Sequence, residues 1–332
     1  MSGSGQNGKG GRKRCIANII NNLMEMQGPH ILGSRTIGST MRCVVIALIP
    51  QFVVSFYIFG ARCIPLVLAS IAACVLFEAL FNLVRKKKQT LKDWSAVITG
   101  IIIAFNMPAG VPYWLTVPAA FISIIIVKQM FGGIGRNYVN PAVTAIVALT
   151  FIFPDIMSTW PAPAIGSPDI PAGAETAATA LEVMSGAEGV MPSKWELFLG
   201  LCSGNMGEGS ALMLLIGGVF LIWKKVISPI IPISIIGTVI IFSLIAGVNP
   251  MVEVCSGALV LGAFFMAADP VTSPVKVRGM ISYGIGIGVI TMVIRLYIPG
   301  ITEGVYIAIL IMNLLSQVSD RIFIEEKFKK KN

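Results

Sequence analysis

Ten apolar stretches dominate the sequence, and every other reading has to fit around them. They run at about 41–60, 62–84, 95–107, 112–130 and 141–153, then at about 209–223, 228–247, 254–268, 280–298 and 303–319. Lipid offers no partners for backbone N–H and C=O groups, so segments of roughly 20 apolar residues cross it as helices. Mean hydropathy is +0.82. Only 12% of the residues are charged, against about 25% in soluble domains. The fold class is therefore an all-α polytopic membrane protein with about ten transmembrane helices.

The net charge of +9 would suit nucleic acid, but its distribution points to the bilayer and excludes that partner. With a cytoplasmic N-terminus, 22 of the 25 Lys and Arg residues fall on one side of the spans, leaving Arg62, Lys194 and Arg295 on or near the other. That asymmetry is the positive-inside pattern, with both termini cytoplasmic. It divides the chain into a cytoplasmic arm with a surface helix (1–40), a five-helix half (41–153), an external loop (154–208), a second five-helix half (209–319) and a basic tail (320–332). In the arm, Ile16, Ile19, Ile20, Leu23 and Met24 recur at helical spacing opposite Asn18, Asn21, Asn22 and Glu25. This suits a helix lying on membrane lipid or an ordinary packed connector.

The third span of each half is short and closes on a similar phrase, GIIIAFNMP at 100–108 and GAFFMAADP at 262–270. Five is an odd number, so the two run in opposite directions. Paired short spans interrupted by Gly and Pro point to two inverted repeats with an ion or substrate path between them.

Six scattered cysteines without a C-x-x-C pair, and the single His30, offer no thiolate cluster or multi-histidine metal site. Acids inside spans are costly, and Glu78 and Asp269 lie there, with Asn106 at nearly the matching place in the third span. They read equally as a cation way-station beside unwound backbone or as helix caps and ion-pair partners. GGIGRNYVNPA at 132–142 reads as a tight turn, with Asn140 capping a helix that opens on Pro141. Glu208, in GNMGEGS at 204–210, suits a helix start without further function. Thr179, in the external loop, has no His or other base nearby in the sequence to activate its hydroxyl.

LKDWSAVITG (91–100), KQMFGGIGRNYVNPA (128–142), GNMGEGSALMLLIGG (204–218) and GAFFMAADPVTSP (262–274) together carry a resemblance, with GPH at 28–30, IR at 294–295 and MN at 312–313. From about residue 28 to 320 the chain resembles the family of Rnf-complex D subunits. It is more distantly similar to the B subunits of the Na⁺-translocating NADH:quinone reductases. The resemblance implies a bacterial or archaeal plasma-membrane subunit, not catalytic alone, of a ferredoxin:NAD⁺ oxidoreductase that moves Na⁺ or H⁺. It implies FMN joined through its phosphate to a threonine on the outer face by a separate flavin transferase. The matching tetrad is Thr176-Ala177-Ala178-Thr179, which makes Thr179 the attachment residue and Thr176 the alternative. Ala177 stands where the family has Gly, and Gly173 where Asp is common. The resemblance also extends to a second, non-covalent flavin, riboflavin, and gives Glu78 and Asp269 a part in cation uptake. Partners would be the other membrane and peripheral Rnf subunits. The competing class is an inverted-repeat channel or transporter without a redox role, which composition and topology fit equally well.

Overall fold

The computed structural model describes the backbone of residues 37–329 except 87–92, 134, 136, 164–176 and 299–302, and side chains from 38 to 316. The expected surface helix, Thr176 and the basic tail's side chains lie outside the described residues. Within them the chain is all-helical, with only isolated bridging contacts such as Pro108 to Asn205.

Helix α1 (Ile37–Phe59) turns through one 3₁₀ turn, Gly60–Arg62, into α2 (Cys63–Val84). Helix α3 (Ser95–Phe105) has 11 residues, which at 1.5 Å each span only about 16 Å, half of a hydrocarbon layer. It stops because Pro108 has no N–H to continue the ladder and disfavours helix at Met107. Helix α4 (Tyr113–Gln129) ends in a π-wound stretch, Phe121–Gln129. Helix α5 (Pro141–Ile152) opens as its sequence suggests. Asn140 Oδ1 accepts from Ala142 N at 3.0 Å and Val143 N at 3.3 Å. The preceding turn places Gly132 and Gly133 at φ +111 and +96.

The expected external loop, 154–208, is partly helical. Its described residues hold three short α-helices: α6 (Pro154–Met157), α7 (Ala180–Met184) and α8 (Lys194–Leu199). Helices α9 (Ala211–Trp223) and α10 (Ile230–Ala246) follow. The stretch expected at 254–268 is broken into α11 (Pro250–Cys255), a bend at Gly257 (φ +63), α12 (Leu259–Leu261) and a π turn, Gly262–Met266. Helices α13 (Val277–Tyr297) and α14 (Gly304–Lys329) complete the chain.

Helix α2 packs on α3 and α4, α10 on α13, and α13 on α14, while α1 lies against α9 and α5 against α14. The α2–α3 contact is backbone to backbone. A Cβ on Gly100 would stand 2.7 Å from Ile71 Cα, and Ser70 Oγ donates to Gly100 O at 2.7 Å. The broken segments occupy the centre, where Ile103, Phe105, Met107, Leu259, Leu261 and Met266 are buried. Outward faces carry side chains such as Leu68, Leu83, Ile233 and Ile245, each more than half exposed. Such a surface matches lipid rather than water.

Candidate functional site

Two cavities flank the two broken helices, one at each end of the bundle. The smaller, about 100 Å³, lies where α1, α3 and α5 begin, and is lined by Thr40, Ser95, Lys128, Asn137, Asn140 and Asp269 among others. Asp269 follows the π turn. Its Oδ1 accepts from Val271 N at 3.3 Å and its Oδ2 from Thr272 Oγ1 at 3.4 Å. Asn140, besides capping α5, donates through Nδ2 to Met266 O at 3.2 Å, so the start of α5 holds the broken segment in place. Asn137 Oδ1 is buried with no hydrogen-bond partner. Asn137 and Asp269 thus bring an amide oxygen and a carboxylate to one cavity, oxygen donors of the kind a hard cation takes.

Lys128 joins this cavity to Glu78. Its Nζ donates to both Glu78 oxygens, at 3.0 and 2.9 Å, and to Ser95 Oγ at 2.5 Å. Gln129 Nε2 adds a bond of 3.3 Å to Glu78. Both charged side chains are at most 2% exposed. A second buried pair stands at the other end. Arg295, near the end of α13, donates to Glu253 Oε2 at 3.1 Å, Glu253 O at 2.7 Å and Ser256 O at 3.1 Å.

The larger cavity, about 460 Å³, lies where α3 breaks. Asn106 donates back to Ile102 O at 2.6 Å and accepts from the Tyr306 hydroxyl at 2.7 Å. Tyr306 O–H also lies 3.4 Å from Glu208 Oε1, which accepts from Asn205 Nδ2 at 2.5 Å. Trp160 Nε1 donates to Asn205 Oδ1 at 3.1 Å. The strip around Met206 is seated on the broken end of α3 by Met206 N donating to Met107 O at 3.2 Å. From α1, Gln51 Nε2 and Ser55 Oγ donate to Met206 O. The cavity walls combine Ile146, Val147, Phe151, Met157 and Trp160 with the polar Asn106, Asn205, Glu182 and Glu303.

Helix α7 reaches this cavity through Glu182 and Ser185. It is opened by Thr179 in a capping box: Glu182 N donates to Thr179 Oγ1 at 3.3 Å, and Thr179 N donates to Glu182 Oε2 at 3.0 Å. Helix α8 repeats the device with Ser193 and Glu196. There the Ser193 backbone N–H, then its hydroxyl, hold the exposed Glu196 carboxyl below its ordinary range.

The sequence-selected residues thus fall into two places. Asp269, and Glu78 through Lys128, belong to the smaller cavity; Asn106 belongs to the larger, with Thr179 on the helix beside it. Lys128, Tyr306 and Glu303 were not singled out from sequence, and Glu208 was read only as a helix-start residue. Glu208 does sit at a helix start, in the 3₁₀ turn Met206–Glu208, but it is 8% exposed and bonded into the Asn106 network.

These features define a helical membrane protein whose interior is organised by two interrupted helices, each flanked by a largely apolar cavity with a few polar groups in its wall. The chain matches the NQR2, RnfD, RnfE family over residues 24–329 and belongs to it. It is 42% identical to the D subunit of the Na⁺-translocating ferredoxin:NAD⁺ oxidoreductase complex of Acetobacterium woodii, over 90% of this chain and 93% of that protein. It is 34% identical to the D subunit of the proton-translocating ferredoxin:NAD⁺ oxidoreductase complex of Clostridium ljungdahlii, over 94% and 98%. It is 33% identical to the D subunit of the ion-translocating oxidoreductase complex of Rhodobacter capsulatus, over 82% and 86%.

Proposed function

We propose that this chain is the D-type membrane subunit of an ion-translocating ferredoxin:NAD⁺ oxidoreductase, working with the other subunits of that complex in a bacterial plasma membrane. The observation that carries this reading is the match to D subunits along nearly the whole chain. The proposal includes FMN esterified to Thr179 on the outer face. The larger cavity supports it: apolar and aromatic walls, with a few amide and carboxylate groups, suit a flat amphipathic ring tethered at the start of α7. FMN supplies one- and two-electron chemistry there, and the protein positions and insulates it. Thr179 would hold the phosphate, and Phe151, Trp160 and Tyr306 would confine the ring.

The chain is further proposed to be two inverted five-helix repeats. Each half ends its fourth helix on a buried cation, Lys128 or Arg295, that grips the start of the third. The start of each fifth helix clamps the break in the other half's third, through Asn140 to Met266 and Tyr306 to Asn106. Glu78, Asn106 and Asp269 then flank an ion path that approaches the midplane from both sides. Asp269 lines the same cavity as the unpartnered oxygen of Asn137, which supports it as the residue of the three that meets a cation directly.

The test is in-gel fluorescence under ultraviolet light of the denatured chain, co-expressed with the flavin transferase. A fluorescent band that Thr179→Ala abolishes supports the reading. A band that persists in Thr179→Ala moves the attachment elsewhere, Thr176 being the first residue to replace next.

A further inference from the structure

We infer that Thr179 receives its flavin before the segment 177–189 docks, and that docking then closes this residue to the transferase. The inference rests on the proposal that Thr179 is the attachment residue. Thr179 is 7% exposed, and Ala180 and Leu181 after it are 4% and 5% exposed. Its hydroxyl oxygen is taken up by the Glu182 backbone N–H, and its own N–H by the Glu182 carboxylate. Immediately upstream, Ser203 Oγ donates to Ala178 O at 2.8 Å, and Ala177 N donates to Trp160 O at 3.1 Å. On its other side, Ala180 sits in a small satellite core with Leu197 and Val252, against Cys202 and Cys255. That core is a small cluster of its own, meeting the large one between the long helices at Cys255.

The transfer needs more room than this arrangement leaves. Thr179 Oγ1 attacks the phosphorus that carries riboflavin in a flavin dinucleotide. The Oγ1–P bond forms, the pyrophosphate P–O bond breaks, AMP leaves, and the hydroxyl proton passes to a base on the transferase. No electrons change hands. The attacking oxygen must approach to about 3–3.5 Å with its orbitals aligned, inside an active site that also encloses the dinucleotide. A docked Thr179 cannot be enclosed in that way. Modification of a folded chain therefore proceeds at the rate for the open segment multiplied by its population. Because the satellite core is small, loosening it opens the segment while the long helices stay packed. Once the ester is made, the same docking brings α7 against the larger cavity and shields the bond.

The experiment uses the full chain expressed without transferase, purified in detergent, then mixed with purified transferase and FAD. Appearance of ultraviolet fluorescence in the denatured band is followed with time for wild type, Leu197→Ala and Ser203→Ala. Both substitutions lie outside the segment 177–189, and near-ultraviolet circular dichroism checks that each variant is folded. Wild type is expected to label slowly. Leu197→Ala should label about tenfold faster or more, because truncating a buried Leu shifts a local opening by at least that factor. Ser203→Ala loses one hydrogen bond and should label about fivefold faster. Equal rates for all three folded proteins would overturn the order of events and leave attachment at Thr179 standing. No fluorescence even after co-expression with the transferase would overturn attachment, and this inference with it.

Discussion

Removing the Glu78 carboxylate should destabilise the bundle strongly, and removing its partner as well should undo most of the damage. Glu78→Gln leaves the Lys128 ammonium 2% exposed, with the Ser95 hydroxyl and a neutral amide oxygen where the carboxylate stood. Breaking a buried pair from one side costs about 3–5 kcal/mol, because a charge stays desolvated without compensation. Surrounding lipid deepens that cost. At about 2 °C per kcal/mol for a chain of this size, the melting midpoint should fall by roughly 6–10 °C. A thiol-reactive fluorophore reads the midpoint through Cys63 and Cys74, which have no solvent exposure until the bundle opens. The double variant Glu78→Gln, Lys128→Met removes both charges and should recover at least about half of the loss, since apolar replacements of buried pairs are often neutral. A double variant as unstable as Glu78→Gln, or an unshifted Glu78→Gln, would refute the reasoning. The pair also separates structure from transport. A recovered double variant that still fails to support ion uptake assigns Glu78 to the path itself, whereas recovery of both assigns it to holding Lys128.

Other outcomes follow from single contacts. Gly100→Ala places a methyl against the α2 backbone at Ile71, and the same thiol assay should show a loss of about 1–3 kcal/mol. Tyr306→Phe deprives Asn106 Oδ1 of its donor and should cost about 1–3 kcal/mol, with little loss expected if the hydroxyl is idle. The Ser193–Glu196 box holds the Glu196 carboxyl below its ordinary range. A depressed carboxylate stabilises above its unfolded pKa, and the benefit disappears as pH falls through the folded value. Fluorescence of Trp195, an exposed residue on the same helix, should therefore hold steady from pH 7 to about 5 and change only below about 4.3. A midpoint at the ordinary glutamate value, about 4.3, would show that the box is absent.

The long-range hydrophobic pattern made much of the fold legible. Apolar runs at 95–107, 141–153 and 280–298 correspond to Ser95–Phe105, Pro141–Ile152 and Val277–Tyr297, because span length and Pro or Gly punctuation are local properties. The break near Pro270 was legible for the same reason, but the bend at Gly257 was not, since a lone Gly inside an apolar run carries no such signal. The pairings that build the site were out of reach. Nothing in the sequence brings Tyr306 to Asn106, 200 residues away, or Arg295 to Glu253, 42 residues away. One signal was present and unread. Thr179-x-x-Glu182, Ser193-x-x-Glu196 and Asn205-x-x-Glu208 have the spacing of capping boxes. The first marks the start of a helix at the very residue proposed to carry FMN.

The most direct measurement places the complete complex in sealed vesicles and follows ion uptake while reduced ferredoxin is oxidised by NAD⁺. Complexes assembled with wild type or with Thr179→Ala are compared. With FMN on Thr179 as an obligatory carrier, the Thr179→Ala complex, assembled in normal amount, should lose both NAD⁺ reduction and the uptake coupled to it. Undiminished electron transfer and uptake in the Thr179→Ala complex would contradict that role.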